Sequence, residues 1–340
     1  MKDAPVSICI PAYNAERFIA ATLESALRQD YPNLEIIVSD DGSADRTAEI
    51  VQAHESRGVR LIRQARNLGM TGNMNAVIRA SRGKYAVKLD SDDLLEPGYV
   101  SGIAPVMEAN PRVVFAHCAC RLIGADGEFL GYERSIHGSF IRPGLEEWPR
   151  YVFGPRAVHI LMFRRTAFEA VGGYDESFIR SQDWKLERDL LTIGEVFYHD
   201  RLLARYRCHG EGKQGLQLLR AQAHLQHLDD MERNWPPGVS GKAGLLRRAR
   251  RHLARWLVLT AAQANGRETL ELLDHLPSYG NFLDVRFLEH LVRAGGSGII
   301  RAYYRQKMRL RQTVKKLFYK SPELSGRRAT IPGPQRNISC

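Results

Sequence analysis

Short apolar runs alternate with segments of helical spacing along the first part of the chain. Val6–Ile10 is a five-residue, mostly apolar strand candidate halted by Pro11, since proline has no amide hydrogen to give a ladder. Residues 15–29 follow with Phe18, Ile19, Leu23, Ala26 and Leu27 three and four apart, which lines one face of a helix. Leu34–Val38 predicts a second strand, stopping at Asp40-Asp41-Gly42-Ser43. A helix over about 44–55, a strand over Val59–Ile62 and a helix over 71–80 come next. Tyr85–Leu89 predicts a fourth strand, ending on Asp90-Ser91-Asp92-Asp93. This repetition with short loops predicts an α/β fold, a mostly parallel sheet with helices on both faces. Such sheets bind ligands outside the carboxyl ends of their strands. Tyr13-Asn14, Asp40-Asp41, Asn67 and the aspartate run each follow a strand, so four loops should converge on one crevice.

From about 111 to 210 the pattern loosens. Val113–Cys118 and Glu128–Leu130 flank Asp126-Gly127, a hairpin signal. Val158–Phe163 reads as a buried strand, followed by a short helix ending near Gly172-Gly173, a helix over 183–192 and a strand over Leu202–Cys208. Beyond Gly215 the pattern is almost wholly helical, near 216–234, 241–264, 267–275, 282–294 and 298–319, with breaks at Pro236-Pro237, Gly266, Pro277 and Gly295-Gly296. Three regions are therefore expected: a sheet domain over 1–215, a helical region over 216–320 and a loose tail over 321–340.

Composition narrows the class. With 44% hydrophobic and 26% charged residues over 340 positions, the chain can pack a core, which excludes disorder throughout and collagen-like structure. No apolar run approaches the roughly 18–20 residues of a spanning helix. The short apolar run near the start is too brief for a signal-peptide core, so a cytoplasmic location is expected. Five scattered cysteines without Cys-x-x-Cys spacing read as reduced thiols.

Charge divides the chain. Residues 216–340 hold 22 of the 49 Lys+Arg and 9 of the 38 Asp+Glu, a net of +13 against −2 for residues 1–215. Arg247, Arg248, Arg250, Arg251 and Arg255 form one basic cluster, and 291–322 carries nine Lys+Arg and no acid. Basic amphipathic helices of this kind suit an anionic membrane surface, placing the protein peripherally on the inner face of the membrane. They equally suit helices whose apolar stripe packs on the catalytic domain with the charges outside. Nucleic acid is the weaker partner, because no recognition fold accompanies the charge.

The polar loops admit two readings each. In Asp90-Ser91-Asp92-Asp93, three carboxylates within four residues repel unless something neutralises them. A hard divalent ion held by one or two carboxylates, phosphate oxygens and water would do so; a solvated turn capping a helix near Gly98 is the plainer reading. Asp40-Asp41-Gly42-Ser43 suits a turn with an N-cap, or a carboxylate accepting an N–H from a base such as uracil. Asp183 suits a cap of the helix over 183–192, and His209 an ordinary surface or core histidine. Gly172-Gly173-Tyr174 and Trp184 suit sugar stacking on the acceptor side or core packing. Gly69-x-x-Gly72 lacks a third glycine and a following Lys-Ser/Thr, which weighs against dehydrogenases and kinases.

Five segments in order, Val6-Ser7-Ile8-Cys9-Ile10-Pro11-Ala12-Tyr13-Asn14, Val38-Ser39-Asp40-Asp41-Gly42-Ser43-Ala44-Asp45-Arg46-Thr47, Arg66-Asn67-Leu68-Gly69, Lys88-Leu89-Asp90-Ser91-Asp92-Asp93 and Gly172-Gly173-Tyr174-Asp175-Glu176, carry a resemblance. Over about residues 5–210 the chain resembles the family-2 nucleotide-sugar glycosyltransferases of the GT-A fold. The resemblance implies that Pro11, Tyr13 and Asp41 hold the nucleobase and ribose and that Arg66 contacts base or phosphate. It implies that Asp92 ligates the metal directly, with Asp90 nearer the ribose and His209 completing the metal shell. Asp183 falls where the family has Glu-Asp, whose aspartate is the general base, although Gln182 departs from that pattern. A divalent cation (Mn²⁺ or Mg²⁺), a nucleoside-diphosphate sugar, uridine-linked by preference, and a glycan or lipid-linked acceptor are the implied partners. One base with in-line displacement implies inversion. Nucleotidyl transfer, or non-catalytic binding of nucleotide sugars or nucleic acid, are the alternatives.

Overall fold

The computed structural model describes residues 3–134, 138–154, 160–178, 180–208 and 216–261, with Asp274, Glu289, His290 and Arg293. Apart from those four residues, the helices expected near 267–275, 282–294 and 298–319 and the tail lie outside the described residues, as does His209.

In chain order the strands are β1 (Val6–Ala12), β2 (Leu34–Asp40), β3 (Val59–Arg63), β4 (Tyr85–Lys88), β5 (Leu94–Leu95), β6 (Val113–Ile123), β7 (Phe129–Glu133), β8 (Phe140–Pro143), β9 (Leu161–Arg164) and β10 (Glu195–Arg207). The helices are α1 (Ile19–Leu27), α2 (Thr47–Gln52), α3 (Gly69–Ala80), α4 (Tyr99–Ala109), α5 (Gly144–Tyr151), α6 (Arg165–Ala170), α7 (Gln182–Ile193), α8 (Leu216–Arg233) and α9 (Lys242–Ala261). One sheet runs in the order β3-β2-β1-β4-β9-β6-β10-β5, with β7 on β6 and β8 on β10. Along that path only β9 and β5 oppose the others, so the sheet is mostly parallel as the pattern predicts. Ile8, Ile10, Val38 and Val87 from the strands join Ile19, Leu23, Tyr99 and Ile103 from the helices in the main core.

β1 continues two residues past its expected stop. Pro11 is paired only with Ser39 of β2, while the β1–β4 register ends at Cys9 and Lys88. The Ala12 carbonyl accepts from Asp41 N beyond β2, and the Cys9 carbonyl accepts from Leu89 N beyond β4. Alternation therefore turns position 11 to the β4 side, where that strand has ended and no donor is needed.

β10 starts seven residues earlier than predicted. Its polar stretch His199-Asp200-Arg201 lies where the β6 register shifts between His199 and Leu202. Such a bulge breaks the two-residue alternation that marks a strand in sequence. Asp200 there takes both Nε (2.7 Å) and Nη2 (2.8 Å) of Arg134. The β6–β7 hairpin forms where expected, with Gly127 at φ +86° in the turn, a value that favours glycine.

Cys9, Cys118 and Cys120 are free and buried, and burial pushes the Cys9 and Cys118 thiols up to about 12.

Contacts divide the chain into two units, Met1–Glu211 with Trp235–Ser240, and Gly212–Asn234 with Gly241–Ser339. In the second, α9 buries Leu246, Ala249, Leu253 and Leu257 at helical spacing while Arg247, Arg248, Arg251 and Arg255 are exposed. Glu232 of α8 pairs with Arg250 and accepts Lys242 Nζ at its carbonyl. Among the described residues no helix is long and apolar enough to cross a membrane.

Candidate active site

The loop after β4 is pinned from two directions. Thr22 Oγ1 on α1 donates to the carbonyls of Ser91 (3.0 Å) and Asp93 (2.9 Å). Arg207, the last residue of β10, gives its backbone N–H to Asp93 Oδ1 (2.8 Å) and its Nε to the Asp92 carbonyl (2.8 Å). Its Nη1 reaches the carbonyls of Gly124 (3.1 Å) and Ala125 (2.9 Å) in the hairpin turn, and its guanidinium lies 4.8 Å from the Phe18 ring centre. Asp93 thus braces the loop. Asp93 Oδ2 is buried without a hydrogen bond, and burial, with Asp92 and Asp90 nearby, pushes its carboxyl well above the usual range.

Asp90 and Asp92 are half-buried. Burial raises the Asp90 carboxyl; the neighbouring Lys88 ammonium opposes that, while Asp92 and Asp183 add to it. The source of the opposing charge is Lys88, the last residue of β4, at 2% exposure. Its Nζ lies 2.6 Å from Asp90 Oδ2 and 3.7 Å from Asp183 Oδ1. Burial works against that ammonium, but the carboxylates of Asp183 and Asp90 outweigh it and hold Lys88 above its usual range. Two carboxylates distant in sequence therefore meet at one buried cation.

Asp183 is the second residue of α7 and is 8% exposed. The residue at the helix cap is Ser181, in left-handed conformation at φ 60°, and it makes no side-chain cap bond. Tyr174 Oη donates to Asp183 Oδ1 at 3.0 Å. Tyr174 is itself held by Asn75 of α3, whose Nδ2 donates to the Tyr174 carbonyl and whose Oδ1 accepts Tyr174 N, both at 2.9 Å. Gly173 makes this possible: it sits at φ +81°, and a Cβ there would stand 2.9 Å from Asn75 Oδ1 and from the Phe168 ring. Tyr174 and Trp184 are both almost fully buried, which rules out sugar stacking on their faces in this conformation. Trp184 Nε1 donates to the Tyr151 carbonyl in α5. The hydroxyl of Tyr174, a group that aromatic patterning alone does not single out, is what reaches the site.

The loops after β1 and β2 interlock. Asn14 N donates to Ser43 Oγ and Ala44 N to Asn14 Oδ1, both at 2.9 Å. Asp40 is fully buried and bonds Ser43, so it is the turn-forming acid of the pair. Asp41 N donates to the Ala12 carbonyl (2.9 Å), and Asp41 Oδ1 accepts Leu68 N (2.7 Å), which ties in the loop after β3. Pro11 is half-buried at the end of β1 and Tyr13 is 54% exposed beyond it. Arg66 is exposed and lines, with Asn67, Leu68, Gly72, Ala76, Arg79 and Glu176, a cavity of about 310 Å³ beside α3. The structure therefore joins Lys88, Asp90, Asp183 and Tyr174 directly, and sets Pro11, Tyr13 and Asp41 at the carboxyl ends of the parallel strands beside them. Arg66 faces the cavity along α3.

Among the described residues no three His, Cys, Asp or Glu side chains form a ready-made metal centre. The residues present nevertheless fit a hard divalent ion. Asp90, Asp92, Asp93 and Asp183 outnumber the one lysine among them, and a buried carboxylate oxygen of Asp93 is unsatisfied. Ions of this kind take one or two protein carboxylates and complete their shell with phosphate oxygens and water.

Comparison with known proteins bears on the family and the fold. The model of the family described as "Glycosyl transferase family 2" matches residues 7–172. Chondroitin synthase of Escherichia coli is 31% identical over 216 residues, covering 62% of this chain and 30% of that protein. The Escherichia coli UDP-Glc:alpha-D-GlcNAc-diphosphoundecaprenol beta-1,3-glucosyltransferase WfaP is 38% identical over 112 residues, covering 33% of this chain and 44% of that protein. The chain thus spans less than half the length of either relative. Residues 1–349 of S. aureus TarS, solved in complex with UDP-GlcNAc, superpose with a TM-score of 0.65 over 89% of this chain and 92% of that one, at 16% identity, a likeness of fold. From the matched span and the order of its motifs, residues 7–172 of this chain form a glycosyl transferase family 2 domain.

Proposed function

We propose that the chain is a metal-dependent, inverting glycosyltransferase that moves a sugar from a nucleoside diphosphate to an acceptor hydroxyl in polysaccharide or glycoconjugate synthesis. The observation that carries this reading is the meeting of Asp90, on the donor loop, with Asp183, on α7, at the Lys88 ammonium. Bound by Asp92 and Asp90, with His209 from the segment that follows β10, a divalent cation would neutralise the charge growing on the departing diphosphate. Asp183 takes the proton of the incoming hydroxyl. It stands at the positive end of the α7 dipole, where negative charge is favoured. Proton transfer of this kind contributes on the order of 10²–10⁴ in rate. With one base and in-line attack, an α-linked donor yields a β-linked product.

Uridine diphosphate is the proposed carrier. Asp41 has one oxygen on Leu68 N and presents its carboxylate at the end of β2, where a uracil N–H finds an acceptor. Pro11 and Tyr13 supply the flanking surface and Arg66 a charge for base or phosphate. The bound UDP-GlcNAc of TarS and the lipid-linked acceptor in the name of WfaP support this class of partner. A peripheral position on an anionic membrane is proposed from the exposed arginines of α9. Failure to sediment with anionic phosphatidylglycerol vesicles at moderate salt would remove that part. Nucleotidyl transfer leaves Asp183 without a task.

A screen of nucleotide sugars by thermal unfolding, with Mn²⁺, with Mg²⁺ and with chelator, tests the reading. Stabilisation by a UDP-sugar only when metal is present is expected; equal stabilisation with chelator would overturn the metal site.

A further inference from the structure

Lys88 stands where a strand in the middle of a sheet normally carries an apolar side chain. β4 is hydrogen-bonded to β1 on one side, with Lys88 opposite Cys9, and to β9 on the other, with Lys88 opposite Leu161. Tyr85, Ala86 and Val87 before it are fully buried, as expected of a strand covered on both faces. Burying an ammonium there is costly unless it is paired. It is paired twice, by a short charge-assisted hydrogen bond to Asp90 Oδ2 (2.6 Å) and by an ion pair with Asp183 Oδ1 (3.7 Å). The backbone beneath it is fixed by ladders on both sides and its stem is almost fully buried, which restricts where the ammonium can go.

We propose that Lys88 is a positioning residue for glycosyl transfer, its buried ammonium spanning Asp90 and Asp183 and holding the base in register with the donor loop. The proposal rests on the glycosyltransferase reading above. Tyr174 Oη donates to the same oxygen of Asp183 at 3.0 Å, so one hydrogen bond and one ion pair, from segments far apart in sequence, act on one carboxylate. A displacement of about 1 Å in a reacting group can cost on the order of 10²-fold in rate, which is the scale a missing anchor should show.

A double-mutant cycle separates this role from a structural one. Turnover is followed as metal-dependent UDP release from UDP-glucose and UDP-N-acetylglucosamine, with water as acceptor, in the full chain. K88M is expected to lower kcat by about 10- to 100-fold with Mn²⁺-UDP affinity within about threefold of the parent, a margin of under 1 kcal/mol. In the D183N background the same change should cost less than about twofold, because the group that Lys88 places is already gone. Loss in the double variant equal to the product of the single losses would overturn the proposal. So would a K88M defect confined to UDP affinity with kcat unchanged, which would assign Lys88 to Asp90 alone. Should K88M fail to fold by thermal unfolding, K88Q enters the same cycle with the same expected non-additivity. If D183N itself leaves turnover intact, the base assignment falls and takes this proposal with it. If D183N abolishes turnover and K88M does not lower it, only the Lys88 proposal falls.

Discussion

The two halves of the sheet solve the problem of placing polar groups differently. From β3 to β4 the strands are adjacent and parallel, and each site residue sits at the end of its own strand or in the loop directly after it. Position along the sequence is then nearly position in the site. In the other half, β9 and β5 run against their neighbours, β10 carries a bulge, and Asp183 arrives on a helix held by Asn75 of α3 through Tyr174. The half proposed to hold the donor is built by local rules; the half proposed to take the acceptor is built by contacts between elements far apart in sequence. Lys88 and Arg207 are the joints between them.

The largest expected effect falls on the donor half. Asp92→Ala should abolish the metal dependence of donor affinity and lower turnover by about 10²-fold or more, since a bound cation supplies several kcal/mol to the leaving group. Calorimetry of UDP with and without Mn²⁺ checks this. Equal affinities in the parent chain would mean that the acid-rich loop is only a braced turn.

Arg207→Met probes a joint. It strips hydrogen bonds from the carbonyls of Asp92, Gly124 and Ala125. Leaving buried carbonyls unsatisfied costs about 1–3 kcal/mol each. A fall in melting temperature of roughly 5–10 °C is expected, with donor affinity weakened because the aspartate loop loosens.

A third effect lies within the acceptor half. His117 of β6 is buried against the rings of Tyr198 and Phe115, and burial lowers its pKa from 6.5 to about 4. The unfolded chain therefore binds a proton that the folded one refuses between those values. Its stabilising contribution is complete above pH 6.5 and is lost as pH falls towards 4, on the order of 3 kcal/mol. His117→Phe should flatten that part of the stability-against-pH curve, measured by denaturant unfolding. An unchanged slope would show that His117 is not the group responsible.

The smallest effect is Tyr174→Phe. It removes the described hydrogen bond to Asp183 Oδ1 and leaves the Lys88 ion pair in place. Turnover should fall several-fold, corresponding to about 1 kcal/mol, with UDP affinity unmoved. A loss as large as that of an Asp183 variant would make Tyr174 an equal partner in the chemistry.

How much of this was legible beforehand follows the same division. Val6–Ile10, Leu34–Val38 and Tyr85–Leu89 read as strands because a parallel strand buried on both faces is a short apolar run. Asp41, Asp90 and Asp92 were visible because their loops follow those runs. β8 and α5 leave little signal in the sequence, as the first has four residues and ends on Arg142-Pro143 and the second carries Pro149 inside it. Asp183 was found only through resemblance, since by spacing alone it suits a helix cap. Nothing local could mark Lys88 as buried or Arg207 as a clamp, because their partners are brought to them by strand order. The sequence marks Tyr174 by its ring, whereas the structure uses its hydroxyl.

The meeting of donor and acceptor carboxylates is tested most directly by Asp183→Asn, with Mn²⁺-dependent UDP affinity and sugar transfer measured on the same preparation. The account predicts UDP affinity within about threefold of the parent, a difference of under 1 kcal/mol, and transfer reduced by about 10²–10⁴. Transfer at the parent rate, or a parallel collapse of UDP affinity, would contradict it.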